Sequence, residues 1–291
     1  MGMGSMLDIK RRIKSVKGTG QITKAMNLVA AAKLQRARVK LRGARPYYEE
    51  TCRIVWDIVN RCEKEVAHPL VEKREVKNTL VIVITGDRGL CGGYNQNIIK
   101  EAVKATENKE NVSYITIGKK CTDFFIKNSG NILKYYSGVS ENPIYEDASK
   151  IGEYVMELYK EGKVDEVLFA YTRFDSPISH KPIVRKIMPI DDTPECMHEV
   201  VEADPSKIML YEPGEEELLC YLIPKYVKTI LYGGLAESAA CEQGARMTSM
   251  DSATKNANEA ISNMTILYNR ARQGAITQEI TEIVAGANAL Q

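Results

Sequence analysis

The sequence predicts an α/β fold plus a long antiparallel coiled coil, with a doubly wound, Rossmann-like sheet in the middle of the chain and a helix from each end forming the rod. Apolar residues recur at helical spacing over long stretches at both ends, and strand and helix patterns alternate in between. The 291 residues, 44% of them hydrophobic, suffice for a sizeable core. We expect four segments: an N-terminal coiled-coil helix (7–66), a central α/β domain (76–190), a linker or foot (191–214) and a C-terminal coiled-coil helix (215–291).

The N-terminal helix is predicted from an apolar stripe with steps of four and then three residues. No proline interrupts it before Pro46. After Pro46 the pattern resumes, so we expect helix to about Glu65. The stripe consists of Ile9, Ile13 and Val16, then Ile22, Met26 and Val29, and later Val55, Ile58 and Cys62.

The central domain is predicted from a continuous β-branched run, Thr79–Thr85, which is typical of a strand buried on both faces. A glycine-rich loop, Gly86–Tyr94, and a helical pattern, Asn95–Thr106, follow it. The alternation then continues, which predicts a mostly parallel sheet with one antiparallel edge. The further elements are Val112–Ile117, Lys119–Asn128, Ile132–Tyr136, Asp147–Lys160, Glu166–Thr172 and a return strand within Ile178–Met188.

The C-terminal helix carries the most regular pattern in the chain, a coiled-coil seam of alternating three- and four-residue steps: Met247, Met250, Thr254, Ala257, Ile261, Met264, Tyr268 and Ala271. The phase then slips by one residue, and the stripe continues through Ile276, Ile280, Ile283, Ala287 and Leu290. The proline-free stretch Lys225–Leu290 would be roughly 99 Å long as one helix. A globule of this chain length is only about 50 Å across. We therefore expect the helix to protrude and to pair with the N-terminal one, with an ordinary helical bundle as the alternative.

Catalytic and cofactor chemistry find little support in the residues. The glycine-rich loop matches neither GxGxxG nor GxxxxGK[ST], so it is predicted to be a tight turn or an exposed docking loop offering Asp87, Arg88 and Cys91. The three histidines share no local pattern with Ser, Cys or Glu, and the seven cysteines show no CxxC spacing. We expect no catalytic residue, no cofactor and no metal site. The longest strictly apolar run, Leu80–Ile84, is far short of the ~20 residues of a membrane-spanning helix.

The charge of the chain is segregated. The net charge is +2, yet Asp8–Arg45 contains twelve basic residues and one acidic residue. Such a helix could follow the phosphates of a nucleic acid, lie in a protein cavity lined by acidic loops, or simply be solvated. A coiled-coil scaffold with a nucleic-acid-binding basic arm is therefore an alternative function.

Three blocks of sequence resemble the gamma-subunit family of F-type ATP synthases: DIKRRIKSVKGTGQITKAMNLVAAA at 8–32, TGDRGLCGGYN at 85–95, and the C-terminal stretch 234–289 with ARMTSMDSATKNA and YNRARQGAITQEITEIVAGANA. The resemblance covers nearly the whole chain from Leu7. It implies a non-catalytic rotor shaft that couples ion-driven rotation of a c-ring to ATP synthesis or hydrolysis in a hexamer of alpha and beta subunits. The implied partners are alpha, beta, epsilon and the c-ring, without nucleic acid. The implied location is the cytoplasmic face of a bacterial membrane, as a peripheral protein held through the Fo sector, and an organellar membrane is a less expected alternative.

The resemblance also implies roles for individual residues. Contacts to the beta and alpha subunits are implied for Met26, Cys91, Arg246, Gln273 and Thr277, although Met26 and Gln273 could instead pack within the coiled coil. An apolar bearing is implied for Ile276, Ile280, Ile283 and Leu290. Tyr211 and Glu212 fall where the foot faces the c-ring and the epsilon subunit.

Overall fold

The computed structural model describes residues 6–61, 70–71, 74–190 and 214–289. These residues form two compact units, one made by the chain up to Ala30 together with the chain from Met247 onwards, and the other made by Ala31–Arg246. Two long helices, α1 (Met6–Arg61) and α5 (Glu215–Ala289), run through both units. Each continues through a proline, Pro46 in α1 and Pro224 in α5.

The first unit is an antiparallel helix pair. The Thr23 Oγ1 and Thr254 Oγ1 atoms lie 2.8 Å apart, and Asn27 Nδ2 donates a hydrogen bond of 2.8 Å to the Met247 carbonyl. Residue numbers rise along α1 while those of the α5 partners fall, which confirms the predicted antiparallel coiled coil.

The predicted seam of α5 is confirmed as far as Ala271. All eight of its residues, from Met247 to Ala271, are buried or half-buried. The continuation of the stripe is not covered by α1, since Ile276, Ile280 and Ile283 are 45%, 56% and 71% exposed. Leu290 lies outside the described residues.

The predicted stripe of α1 is wrong at Ile22 and Val29, whereas Met26 is half-buried and Val55 and Ile58 are buried as predicted. Ile22 and Val29 are 62% and 55% exposed, whereas Ile9, Ile13 and Val16 are half-buried as predicted. The seam continues without a slip in steps of four and three residues through less apolar positions: Gly20, Thr23, Asn27, Ala30 and Leu34. Small residues let the two helices approach closely, and a Cβ added at Gly20 would be in ordinary contact with the Ala257 Cβ, at 3.4 Å. The hydrogen bonds of Thr23 and Asn27 offset the free-energy cost of burying their polar side chains.

The second unit contains a five-stranded sheet in the order β3-β2-β1-β4-β5. Four strands are parallel and β5 pairs antiparallel with β4, which confirms the predicted return strand. The strands are β1 (Asn78–Ile84), β2 (Asn111–Ile117), β3 (Asn131–Tyr136), β4 (Glu166–Phe174) and β5 (His180–Met188). The connecting helices are α2 (Tyr94–Lys104), α3 (Lys119–Lys127) and α4 (Tyr145–Lys160).

The sheet has helices on both faces. Alternate residues of β1 point to opposite faces, so that Val81 and Val83 join one apolar core while Leu80, Ile82 and Ile84 join the other. The first core includes residues of α2 and α3, and the second includes residues of α4, α1 and α5. The strand is therefore buried on both faces, as its β-branched run predicts. Within the described ranges, no helix is long and apolar enough to cross a membrane.

Candidate functional site

The loop after β1 lies at the carboxyl edge of the sheet, beside the point where the strand order reverses between β1 and β4. Doubly wound sheets usually bind ligands at this point. Here it is covered by α5, because the carboxyl group of Glu242 lies directly against Gly86. A Cβ added at Gly86 would lie 2.7 Å from Glu242 Cδ, so a larger residue would have to displace the Glu242 carboxyl. The glycine-rich loop thus serves close packing against a helix.

Hydrogen bonds hold this loop from within the domain. The side-chain oxygen Oδ1 of Asn95 accepts from the Gly86 amide at 2.8 Å, and Asn95 Nδ2 donates to Cys91 Sγ at 3.1 Å. Asp87 accepts from the backbone amides of Lys119 and Gly138, at 2.9 and 3.0 Å. The Asp87 carboxylate therefore ties together the loops that follow β1, β2 and β3, and the interpretation of Asp87 as a free docking group is wrong.

Two side chains of this loop, those of Arg88 and Leu90, are exposed. Arg88 is exposed, and Leu90 is 62% exposed with a φ of 62°. Cys91 is only 1% exposed. Burial, followed by the nearby charge of Glu242, raises the pKa of the Cys91 thiol, while Arg246 lowers it. The thiol is therefore protonated at neutral pH and is no candidate nucleophile.

Arg246 and Glu242 form a buried ion pair one helical turn apart on α5. Arg246 Nη2 donates to Glu242 Oε1 at 2.6 Å and to the Gly89 carbonyl at 3.4 Å. Burial raises the pKa of the Glu242 carboxyl, and Arg246 opposes this rise. The structure thus brings two predicted contact residues, Cys91 and Arg246, into one cluster at the sheet edge.

The other predicted residues lie elsewhere. Gln273 and Thr277 are exposed on α5, where Thr277 Oγ1 donates to the Gln273 carbonyl at 2.9 Å. Met26 is half-buried on α1. Tyr211 and Glu212 lie outside the described residues.

A second group of polar residues was not anticipated from the sequence. It lies where β4 runs on past the end of β1, leaving the β1-side edge of β4 without a strand partner. The amide of Thr172 donates to Ser238 Oγ at 3.2 Å, and the amide of Phe174 donates to Glu237 Oε2 at 3.3 Å. The acceptors are buried side chains of α5.

The carbonyls of the same two β4 residues are also bound. Cys241 Sγ donates to the Thr172 carbonyl at 3.4 Å, and Arg45 Nη2 of α1 donates to the Phe174 carbonyl at 3.2 Å. We call the four side chains that bind this edge, Arg45, Glu237, Ser238 and Cys241, the β4 cap. In the sequence, the sign of this group was Glu237, an acidic residue within a stretch of small and apolar residues on α5.

Two lysines of the basic helix α1 have side-chain partners within the second unit. Lys33 forms an ion pair with Glu141, and Lys40 donates a hydrogen bond to Asn142. Together with Arg36, these lysines line a cavity of about 370 Å³. Among the residues that the structure describes, no group of three or more His, Cys, Asp and Glu side chains is placed to hold a metal ion.

Comparisons with known proteins agree with one another. A family model described as ATP synthase matches residues 5–290. The ATP synthase gamma chain of Alkaliphilus metalliredigens is 50% identical over the full length of both chains. A gamma chain described as sodium ion specific, from Acetobacterium woodii, is 45% identical and covers 97% of this chain and 98% of its own.

Solved structures share the fold. A chain of the Euglena gracilis mitochondrial ATP synthase covers 99% of this chain and 95% of its own length, with a TM-score of 0.68 and 18% identity. A chain from the central stalk and c-ring structure of the Tetrahymena thermophila mitochondrial enzyme covers 80% of this chain and 99% of its own, with a TM-score of 0.61 and 23% identity. Nothing in these comparisons supports the nucleic-acid-binding alternative.

Proposed function

This chain belongs to the gamma-subunit family of F-type ATP synthases, and we propose that it is the central rotor shaft of such an enzyme. In this role it couples ion-driven rotation of a c-ring to ATP synthesis or hydrolysis by alpha and beta subunits. The chain contributes no catalytic residue of its own, and nucleotide chemistry belongs to its partners. It is held at the cytoplasmic face of a bacterial membrane through the Fo sector.

The observation that carries this proposal is the apolar end of α5. The seam with α1 ends at Ala271, and the following turns expose Ile276, Ile280, Ile283 and Val284. A contiguous exposed apolar surface is typical of a protein contact. The partner we propose is an apolar bearing formed by the alpha and beta subunits, in which the helix end turns because apolar contacts are weakly directional.

The remaining contacts follow from where the predicted residues lie. Gln273 and Thr277 are exposed on the same helix end and are proposed to contact the beta subunits. At the sheet edge, the proposed contact at Cys91 is made by its exposed neighbours Arg88 and Leu90, and Arg246 supports that loop from beneath. Met26 remains a proposed contact on α1. For Tyr211 and Glu212 we propose a contact with the c-ring and the epsilon subunit.

The proposal is tested by reconstitution. The chain is mixed with alpha and beta subunits of the same organism, and the purified complex is assayed for composition and for ATP-driven rotation of a bead attached to this chain. We expect one copy for every three alpha and three beta subunits, and rotation in one direction. Failure to co-purify, or a complex that hydrolyses ATP without rotating the bead, would contradict the shaft role.

A further inference from the structure

We propose that the β4 cap is the joint through which rotation passes between helix α5 and the sheet. In this joint Glu237 and Ser238 are positioning residues that set the rotational angle of α5 against β4. The proposal rests on the shaft role and adds to it the site within the chain at which the helix is fixed to the α/β domain.

The contacts of α5 with β4 are directional. Hydrogen bonds to the amides of Thr172 and Phe174 require Ser238 and Glu237 at defined positions, because hydrogen-bond strength falls steeply with misalignment. Rotation of α5 about its own axis would break both bonds. A purely apolar contact would allow the helix to roll, since it has no preferred direction.

On the strand side of the joint, β4 is held in place by its pairing with β5. Thr172 pairs with Pro182 of β5, and proline has no N–H to donate. The amide and carbonyl of Thr172 are bound instead by Ser238 and Cys241 of the β4 cap. Because β4 is also held by β5, the two amides belong to a backbone that is fixed on its other edge.

Two glycines near the β4 cap bring α5 close to β4 and to the loop that follows it. A Cβ added at Gly234 would lie 2.3 Å from Phe169 Cε1, and one added at Gly244 would lie 2.8 Å from the Pro177 carbonyl oxygen. These two glycines lie on either side of the β4 cap along the helix. At these two positions α5 has no side chain, so its backbone lies against the Phe169 ring of β4 and against the Pro177 carbonyl of the loop after β4.

The β4 cap also links α5 to α1. Glu237 Oε1 also accepts from Arg45 Nη2 at 3.2 Å, and the same guanidinium nitrogen reaches the Phe174 carbonyl. One carboxylate therefore joins both long helices to one strand. Apolar side chains of similar volume often replace a buried ion pair without loss of stability, so the role we propose for Glu237 is to fix the register of α5.

The test measures torsional stiffness in the assembled complex. The complex is immobilised through its beta subunits, and a bead is attached through Lys127→Cys on α3, in a background whose other accessible cysteines are replaced by serine. The width of the angular distribution is recorded while the rotor pauses. The angular variance is inversely proportional to the torsional stiffness between the bead and the held end of the shaft.

We expect Ser238→Ala to increase the angular variance about twofold, because one of the two amide hydrogen bonds made by α5 is lost. Glu237→Gln keeps an acceptor for the Phe174 amide but loses the charge that faces Arg45, so a smaller increase is expected. Ser252→Ala, the same change at an exposed position of α5, is the matched control and leaves the variance unchanged.

A role in stability alone would give a different result. Suppose that Ser238→Ala lowers the melting temperature, while its angular variance, measured well below that temperature, equals that of the parent. The proposed joint is then refuted. If Ser238→Ala does not assemble, Glu237→Gln decides in the same way. Failure of the shaft role itself is distinguishable, because the parent chain would then give no rotating complex.

Discussion

Thr23 and Thr254 place their hydroxyl oxygens 2.8 Å apart across the seam of the helix pair. Each also lies within hydrogen-bond distance of a carbonyl of its own helix, Gly20 for Thr23 and Met250 for Thr254. The pair is a polar contact within a largely apolar seam, and it aligns α1 with α5 at one register.

Replacing these threonines one at a time tests that contact. Thr23→Val or Thr254→Val is expected to lower the free energy of unfolding by about 1 kcal/mol, because one hydroxyl is left without its cross-helix partner. The double variant is expected to lose less than the sum of the two, since no unpaired hydroxyl remains in it. Urea denaturation of the four proteins gives the coupling energy, and additive losses would show that the hydroxyls do not interact.

Two glycine-to-alanine changes are expected to act in opposite directions. Nothing lies within 4 Å of a Cβ added at Gly18, so Gly18→Ala is expected to stabilise α1 by up to about 1 kcal/mol through helix propensity. At Gly234 the added Cβ would meet the Phe169 ring, so Gly234→Ala is expected to cost about 1–3 kcal/mol. Chemical denaturation measures both changes. A neutral Gly234→Ala would mean that α5 does not lie against β4 in solution.

The buried carboxyl of Glu242 predicts a pH dependence of stability. Its pKa is raised above 4.5 in the folded chain, mainly by burial, so the folded state holds its proton more tightly than the unfolded state. Its contribution to stability is therefore fully present below pH 4.5 and is lost as the pH rises through the raised pKa. Glu242→Gln removes this dependence.

The measurement for Glu242 is the difference in unfolding free energy between the parent and Glu242→Gln from pH 4 upwards. We expect the parent to lose stability relative to the variant as the pH rises. A difference that stays constant, or that changes in the opposite sense, would mean that contact with Arg246 outweighs burial in setting the pKa.

Removal of residues 276–291 separates folding from assembly. All described side chains of this segment are exposed, so the truncated chain is expected to keep its unfolding free energy within about 0.5 kcal/mol. In the reconstituted complex, the same truncation is expected to weaken rotation, because the proposed bearing loses its apolar surface. Ser252→Ala again serves as the control. If the truncated chain rotated as the parent does, the bearing would not be formed by residues 276–291.

Periodicity was enough to predict the sheet and the seam of α5. The β-branched run of β1 and the three- and four-residue steps from Met247 to Ala271 each reflect burial directly. On α1 the prediction was wrong at Ile22 and Val29, because periodicity follows apolar residues and the seam there passes through Gly20, Thr23 and Asn27. A hydrogen-bonded polar side chain can be buried, but its partner is visible only in three dimensions.

The polar residues at the sheet edge could not be predicted for a related reason. Glu237 and Ser238 bind strand atoms more than 60 positions away in the chain, and no short motif encodes such a contact. Arg246 was predicted through resemblance alone, and Cys91 through resemblance and as part of a glycine-rich loop. Their shared cluster with Glu242 depends on how α5 crosses the loop after β1.

The β4 cap also bears on how the chain is made. All five strands leave the ribosome before Glu237, Ser238 and Cys241 do, so the overhanging end of β4 has an unsatisfied edge throughout that interval. Unpaired strand edges are templates for association with other chains. Until α5 emerges, this edge is available to pair with other chains, so we expect aggregation to rise with the concentration of nascent chains.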